Sequence, residues 1–145
     1  MIGLLQRVTW ARVEVAEVNV AEINRGLLVF VGVERDDRSA HVQRLGQRLL
    51  SYRVFADAEG RMNLSVQDIQ GGVLLVPQFT LPADTRKGNR PSFTPAAPPQ
   101  QGEQLFNELL EQIQCQHHPV AHGVFGANMQ VSLTNDGPVT FWLQV

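Results

Sequence analysis

The chain has a single cysteine, Cys115, so it can form no internal disulfide and has no cysteine pair for a zinc finger. Long apolar runs are missing as well. The longest, Gly26 to Val33, falls far short of the roughly 20 residues a helical membrane span needs. The start, Met1 to Arg7, lacks the charged head, apolar stretch and small-residue cleavage site of a secretory signal. Cations are absent from the last third. All 12 Lys and Arg lie in residues 1–90 against 10 of the 14 acids, which leaves +2; residues 91–145 hold the other 4 acids and no cation, which leaves −4. The net charge of −2 excludes a strongly basic nucleic-acid coat but leaves room for local contact with a phosphate backbone from the first 90 residues. No glycine-rich phosphate loop, no His-Glu-x-x-His and no Gly-x-Ser-x-Gly elbow occurs. A soluble, cytoplasmic protein is expected.

What is present suffices for a core. At 145 residues a domain buries roughly 68–70% of its unfolded surface, and 43% hydrophobic residues can fill the interior. Ile2 to Thr9 and Val13 to Val20 alternate loosely and predict two strands. Asn24-Arg25-Gly26 predicts a turn, and the unbroken apolar run after it predicts a central strand covered on both faces. Asp36 and Asp37 are N-cap candidates for a helix to about Tyr52, with Val42, Leu45, Leu49 and Tyr52 at helical spacing. Arg53-Val54-Phe55 reads as a short strand closed by the turn Asp57 to Gly60, and Val73 to Val76 as another buried strand. Five prolines between Pro82 and Pro99 predict an ordered loop rather than regular structure. A helix follows from about Gln100 to Gln116. Two closing strands, Asn128 to Thr134 and Val139 to Val145, are expected around a tight connection at Asn135 to Pro138. This order predicts one α+β domain over residues 1–145, mostly sheet with two main helices.

Candidate chemistry is sparse. His117, His118 and His122 cluster, but Pro119 interrupts any helix that would aim two of them at one metal, so a solvated connection is expected there. Cys115 has no basic neighbour to activate it and reads as structural. Pro77-Gln78-Phe79-Thr80-Leu81 ends an apolar strand where the chain leaves the sheet and exposes backbone N–H groups. Arg86-Lys87-Gly88-Asn89-Arg90 sets three cations beside Phe93, a solvated loop or a phosphate contact. Asn135-Asp136-Gly137-Pro138-Val139-Thr140 contains a Gly-Pro step, where a cis peptide costs little.

Taken together, these segments resemble the D-aminoacyl-tRNA deacylases. The match runs through Gln6-Arg7-Val8, Gly32-Val33, Arg61-Met62-Asn63, Gln78-Phe79-Thr80-Leu81, Gly88-Asn89-Arg90-Pro91-Ser92-Phe93, Gly123 to Met129 and Asn135 to Thr140. It covers essentially the whole chain in order. The resemblance implies a partial barrel that forms a homodimer, needs no cofactor, metal or membrane, and hydrolyses the ester joining a D-amino acid to the 3′ end of tRNA. It implies that Gly137 and Pro138 form a cis dipeptide reaching the partner subunit's site, where their carbonyls crowd the side an L side chain would occupy. Arg7 would fix that dipeptide, its planar fork bracing carbonyl oxygens. Gln78, Phe79 and Thr80 would form the catalytic strand end, with the N–H groups of Phe79 and Thr80 around the ester carbonyl.

In the same way, Phe79, Phe93 and Met129 would line the pocket for the terminal adenosine, and Arg86, Lys87 and Arg90 would meet the tRNA. Thr80 has no evident base, which favours water attack assisted by the substrate's own 2′-hydroxyl over a Thr80 nucleophile. Rejection by exclusion leaves glycine, with no side chain to clash, as a further substrate. One departure stands out: Pro77 occupies a position where the family usually has Ser. The rival reading is a nucleic-acid-binding protein on the same fold that performs no hydrolysis.

Overall fold

A computed structural model describes residues 1–145. One long strand organises it. β1 (Ile2–Val15) pairs antiparallel along one edge with β3 (Gly26–Gly32) over its first half and with β2 (Val18–Ile23) over its second. Its other edge pairs throughout with β8 (Met129–Gln144). From β3 the sheet continues in parallel through β6 (Gly72–Pro77) to β7 (Val120–His122). The helices are α1 (Ser39–Ser51) and α2 (Pro99–Gln116); β4 (Phe55–Ala56) and β5 (Met62–Leu64) form a separate small ribbon.

Alternation along the strands divides the interior in two. Leu27, Val29 and Val31 of β3 and Val73 and Leu75 of β6 pack with α1 and α2, through Leu45, Leu49, Phe106, Leu109 and Ile113. The opposite side of the same strands, Leu28, Leu74 and Val76, packs with Val8, Ala11, Val13 and Ile23 inside the curl of the sheet. Met129, Val131 and Leu133 of β8 close over that second core, so the sheet becomes a near-barrel with the helices on its outer face. The expected α+β class, the central two-faced strand and the two helices are therefore present. Gly26 and Gly72 sit opposite each other in the β3–β6 pair, where a Cβ on Gly26 would stand 1.9 Å from the Gly72 carbonyl oxygen. Only glycine fits there.

Several local expectations are corrected. The first two strands divide at Ala16-Glu17, both with positive φ (49° and 64°), a two-residue turn without the usual glycine or asparagine. Asp36 and Asp37 do not cap α1. The N-cap is Arg38, whose N–H donates to His41 Nδ1 at 3.0 Å. Asp37 is buried and accepts from the Met1 amino group and from the Glu34 N–H. His117 is buried rather than solvated, its Nε2 2.6 Å from the Gly71 carbonyl oxygen, and Cys115 is exposed. The largest correction lies at the C-terminal end. Residues 129–144 form one strand, not two strands and a tight turn.

Candidate active site

The segment expected to turn is an outward bow within β8. Gln6 of β1 stands opposite Thr140 and Val8 opposite Asn135, so Arg7 alone faces the four residues Asp136 to Val139. Asn135 clamps the base of the bow: its Oδ1 accepts the Val139 N–H at 2.7 Å and its Nδ2 donates to Thr140 Oγ1 at 2.9 Å. Arg7 holds the bow from beneath. Its Nε donates to the Asp136 carbonyl at 3.0 Å and pairs with the Asp136 carboxylate at 3.2 Å, while Nη1 donates to the Val54 carbonyl at 2.6 Å. Gly137 has φ +138°, a conformation side chains oppose, and a Cβ there would meet Val139 Cγ2 at 2.6 Å. The Gly137–Pro138 peptide is cis, and both residues are exposed.

A second group of site residues assembles at the C-terminal ends of the parallel strands β3 and β6, the end at which open α/β sheets commonly bind ligands. A cleft of about 760 Å³ opens there between the near-barrel and the first turn of α2. Its lining includes Gln78, Phe79, Phe93 and Met129 among the residues expected from sequence. The Gln78 N–H completes the ladder by donating to the Val31 carbonyl at 2.8 Å. After it the chain turns, and the N–H groups of Phe79 and Thr80 have no acceptor in the protein. Two adjacent backbone donors are thus left free at the edge of an apolar cleft. The Thr80 hydroxyl accepts a hydrogen bond from Gln78 Nε2 and touches no basic side chain. Phe79 and Phe93 meet at a centroid distance of 5.3 Å, tilted by 54°, and both are exposed, Phe79 the more so.

Gly137, Pro138 and Arg7 do not line this cleft, and neither do Thr80, Arg86, Lys87 and Arg90. Arg86 is committed to Asp84 through two bonds, 2.9 and 2.7 Å. These bonds, with the Arg86 N–H, hold the Asp84 carboxyl well below its usual range and raise the guanidinium. Lys87 and Arg90 form no ion pair, so theirs are the free charges of that loop. Sequence reasoning missed Arg35, Phe125 and the α2 start at Pro98 and Pro99, all in the lining. Phe125 and Gly126 fell within the matched segments without a role. Arg35 followed an apolar run and carried no local signal.

An apolar cleft whose edge offers two unused backbone donors suits an α+β protein that handles a carbonyl compound, and the comparisons place it among ester hydrolases. The family model for D-Tyr-tRNA(Tyr) deacylase matches residues 4–144, and the chain belongs to that family. It is 60% identical over 145 residues to the D-aminoacyl-tRNA deacylase of Nitrosococcus oceani, covering 100% of this chain and 94% of that one. Identity to the D-aminoacyl-tRNA deacylase of Pseudomonas putida is 59%, over 100% of both chains. Among solved structures it superposes on c-Myc DNA Unwinding Element Binding Protein with a TM-score of 0.96 and 39% identity, covering 100% and 99% of the two chains. A probable eukaryotic D-amino acid tRNA deacylase shares the fold at 17% identity, with a TM-score of 0.85 over 99% and 98%.

Proposed function

We propose that this protein hydrolyses the ester of D-aminoacyl-tRNA, releasing a free D-amino acid and tRNA, and that it acts as a cytoplasmic homodimer. The observation that carries the reading is the pair of free N–H groups at Phe79 and Thr80. In this reading the ester carbonyl oxygen points at them, and they stabilise the charge that develops on it; one such donor is typically worth about 2.7–4 kcal/mol of barrier. Water, assisted by the terminal 2′-hydroxyl, attacks the carbonyl carbon, and the 3′ oxygen leaves with a proton. Phe79, Phe93 and Met129 hold the adenosine by stacking and apolar contact. Lys87 and Arg90 meet the tRNA backbone.

The chirality filter is supplied by the partner. Gly137 and Pro138 are exposed on their own protomer and do not line its cleft, which is what a motif used across a dimer interface requires. With their carbonyls against the substrate Cα, an L side chain would clash, a D side chain would point outward, and glycine would pass. The test is hydrolysis of D-Tyr-tRNA and L-Tyr-tRNA by purified protein with chelator present. Release from the D ester alone is expected; release from both or from neither overturns the reading.

The printed name of the 39% identical structure favours a second reading, binding to nucleic acid without hydrolysis. The net charge of −2 and the apolar cleft weigh against a duplex-binding surface here. Binding alone also needs no chirality filter of the kind the exposed Gly137–Pro138 bow would supply.

A further inference from the structure

Arg35 has no part in the chemistry above, yet it is the one ionisable side chain among the 20 residues lining the cleft. It lies just past β3 and is held from three directions. Its N–H donates to the Pro95 carbonyl at 2.9 Å, its Nε to the Thr94 carbonyl at 3.2 Å, and its own carbonyl accepts from Gln101 Nε2 at 3.1 Å. Both terminal nitrogens of the guanidinium are left without an acceptor, and Arg35 forms no ion pair. The neighbouring acids are engaged elsewhere: Glu34 and Asp37 both hold the Met1 amino group. Asp36, next in sequence, is exposed and unpaired with it. The result is an exposed, uncompensated cation, tethered through Nε, at the rim of an otherwise uncharged cleft.

Its position indicates what that charge serves. The Nε anchor, Thr94, follows Phe93 directly, and Phe93 forms the aromatic pair with Phe79. A nucleoside lying against Phe93 is therefore close to the guanidinium. The nearest negative charge on a tRNA terminus held this way is the phosphodiester on the 5′ side of the last nucleoside. A guanidinium with Nε already tied presents its two free nitrogens as a fork, a geometry suited to two phosphate oxygens. We propose that Arg35 binds this phosphodiester, so that the cleft recognises a 5′-phosphorylated nucleoside ester and not a nucleoside ester alone. The proposal rests on the ester-hydrolysis reading and assigns that site a substrate-positioning contact.

The experiment compares 3′-O-D-tyrosyl-adenosine with the same ester carrying a 5′-phosphate, and with D-Tyr-tRNA. For the wild-type protein the 5′-phosphate should raise kcat/KM by about tenfold, through KM, as expected for one charge-assisted contact. In Arg35→Gln that ratio should fall to near one, and Arg35→Lys, which keeps the charge but loses the fork, should fall between. The wild-type ratio should also shrink as salt is raised. Equal ratios in wild type and Arg35→Gln, with both proteins melting alike, would overturn the proposal. A wild-type protein that hydrolyses D-Tyr-tRNA but shows no preference for the phosphorylated ester overturns it too, and leaves the deacylase reading standing. Hydrolysis of none of the three would overturn both.

Discussion

Thr80 separates a side-chain role from a backbone role. Its hydroxyl is hydrogen-bonded to Gln78 and meets no base, while its N–H is free. Thr80→Ala should therefore retain activity within about tenfold, whereas replacing the Phe79–Thr80 amide by an ester linkage, which removes only the N–H, should slow turnover by about 10²–10³-fold. Steady-state rates on D-Tyr-tRNA check both, and complete loss in a folded Thr80→Ala protein would restore the nucleophile. Arg7 makes a different point. A lysine has one point charge where Arg7 reaches two carbonyls and a carboxylate. Arg7→Lys should loosen the bow and lower the ratio of D-Tyr-tRNA to L-Tyr-tRNA hydrolysis more than it lowers the D rate. Glu34 bears on acid stability. Burial acts to raise its pKa, but hydrogen bonds from the Met1 amino group and Gln144 outweigh it, and the net direction is down from 4.5. Its contribution is present above 4.5 and is lost as pH falls through the lowered value. Thermal melts should show a loss of stability below that point that Glu34→Gln reduces.

The element that most shapes the site is β8. A regular strand opposite β1 would leave no bow, and the four residues facing Arg7 exist because pairing resumes at Thr140 on the far side. Asn135 and Arg7 close the excursion, so it is held rather than loose. Gly137→Ala would force a Cβ into a positive-φ position against Val139, at a cost of about 1–3 kcal/mol. Denaturant unfolding should read that loss, and the variant's discrimination between D-Tyr-tRNA and L-Tyr-tRNA should weaken with it.

For the molecule as a whole, the apparent fault is an unfinished edge. β8 pairs only with β1, which leaves the outer edge of a 16-residue strand open, and Trp10 and Trp142 are 41% and 51% exposed on β1 and β8. A long open edge of this kind, with exposed tryptophans close by, invites another chain unless it is covered. The proposed homodimer would cover it and bring the Gly137–Pro138 bow to a second cleft. Light scattering should report twice the 16.1 kDa chain mass. Trp142→Glu should give a folded monomer that no longer discriminates D-Tyr-tRNA from L-Tyr-tRNA, because its cleft keeps the free donors but lacks the partner's bow. With an intact dimer, Gly-tRNA should be hydrolysed alongside D-Ala-tRNA while L-Ala-tRNA resists; equal resistance of glycine and L-alanine would mean that the D side chain is recognised positively.

The division between local and tertiary information follows the range of the interactions involved. Sequence alone determined the class of fold, the two-faced strand at Leu27 to Val31, both helices and the short motifs, because apolar spacing and turn chemistry act over a few residues. The same string read Asn135 to Pro138 as a turn, for a Gly-Pro step looks alike in a turn and in a bow. Pairing with β1, more than 120 residues away, made it a bow. It read Asp37 as a cap because nothing nearby shows the Met1 amino group, 36 residues off, that claims it. Arg35 was silent for the same reason. Its meaning depends on Thr94 and on a cleft assembled from four distant segments, and hydrogen bonds and charges choose partners by distance in space.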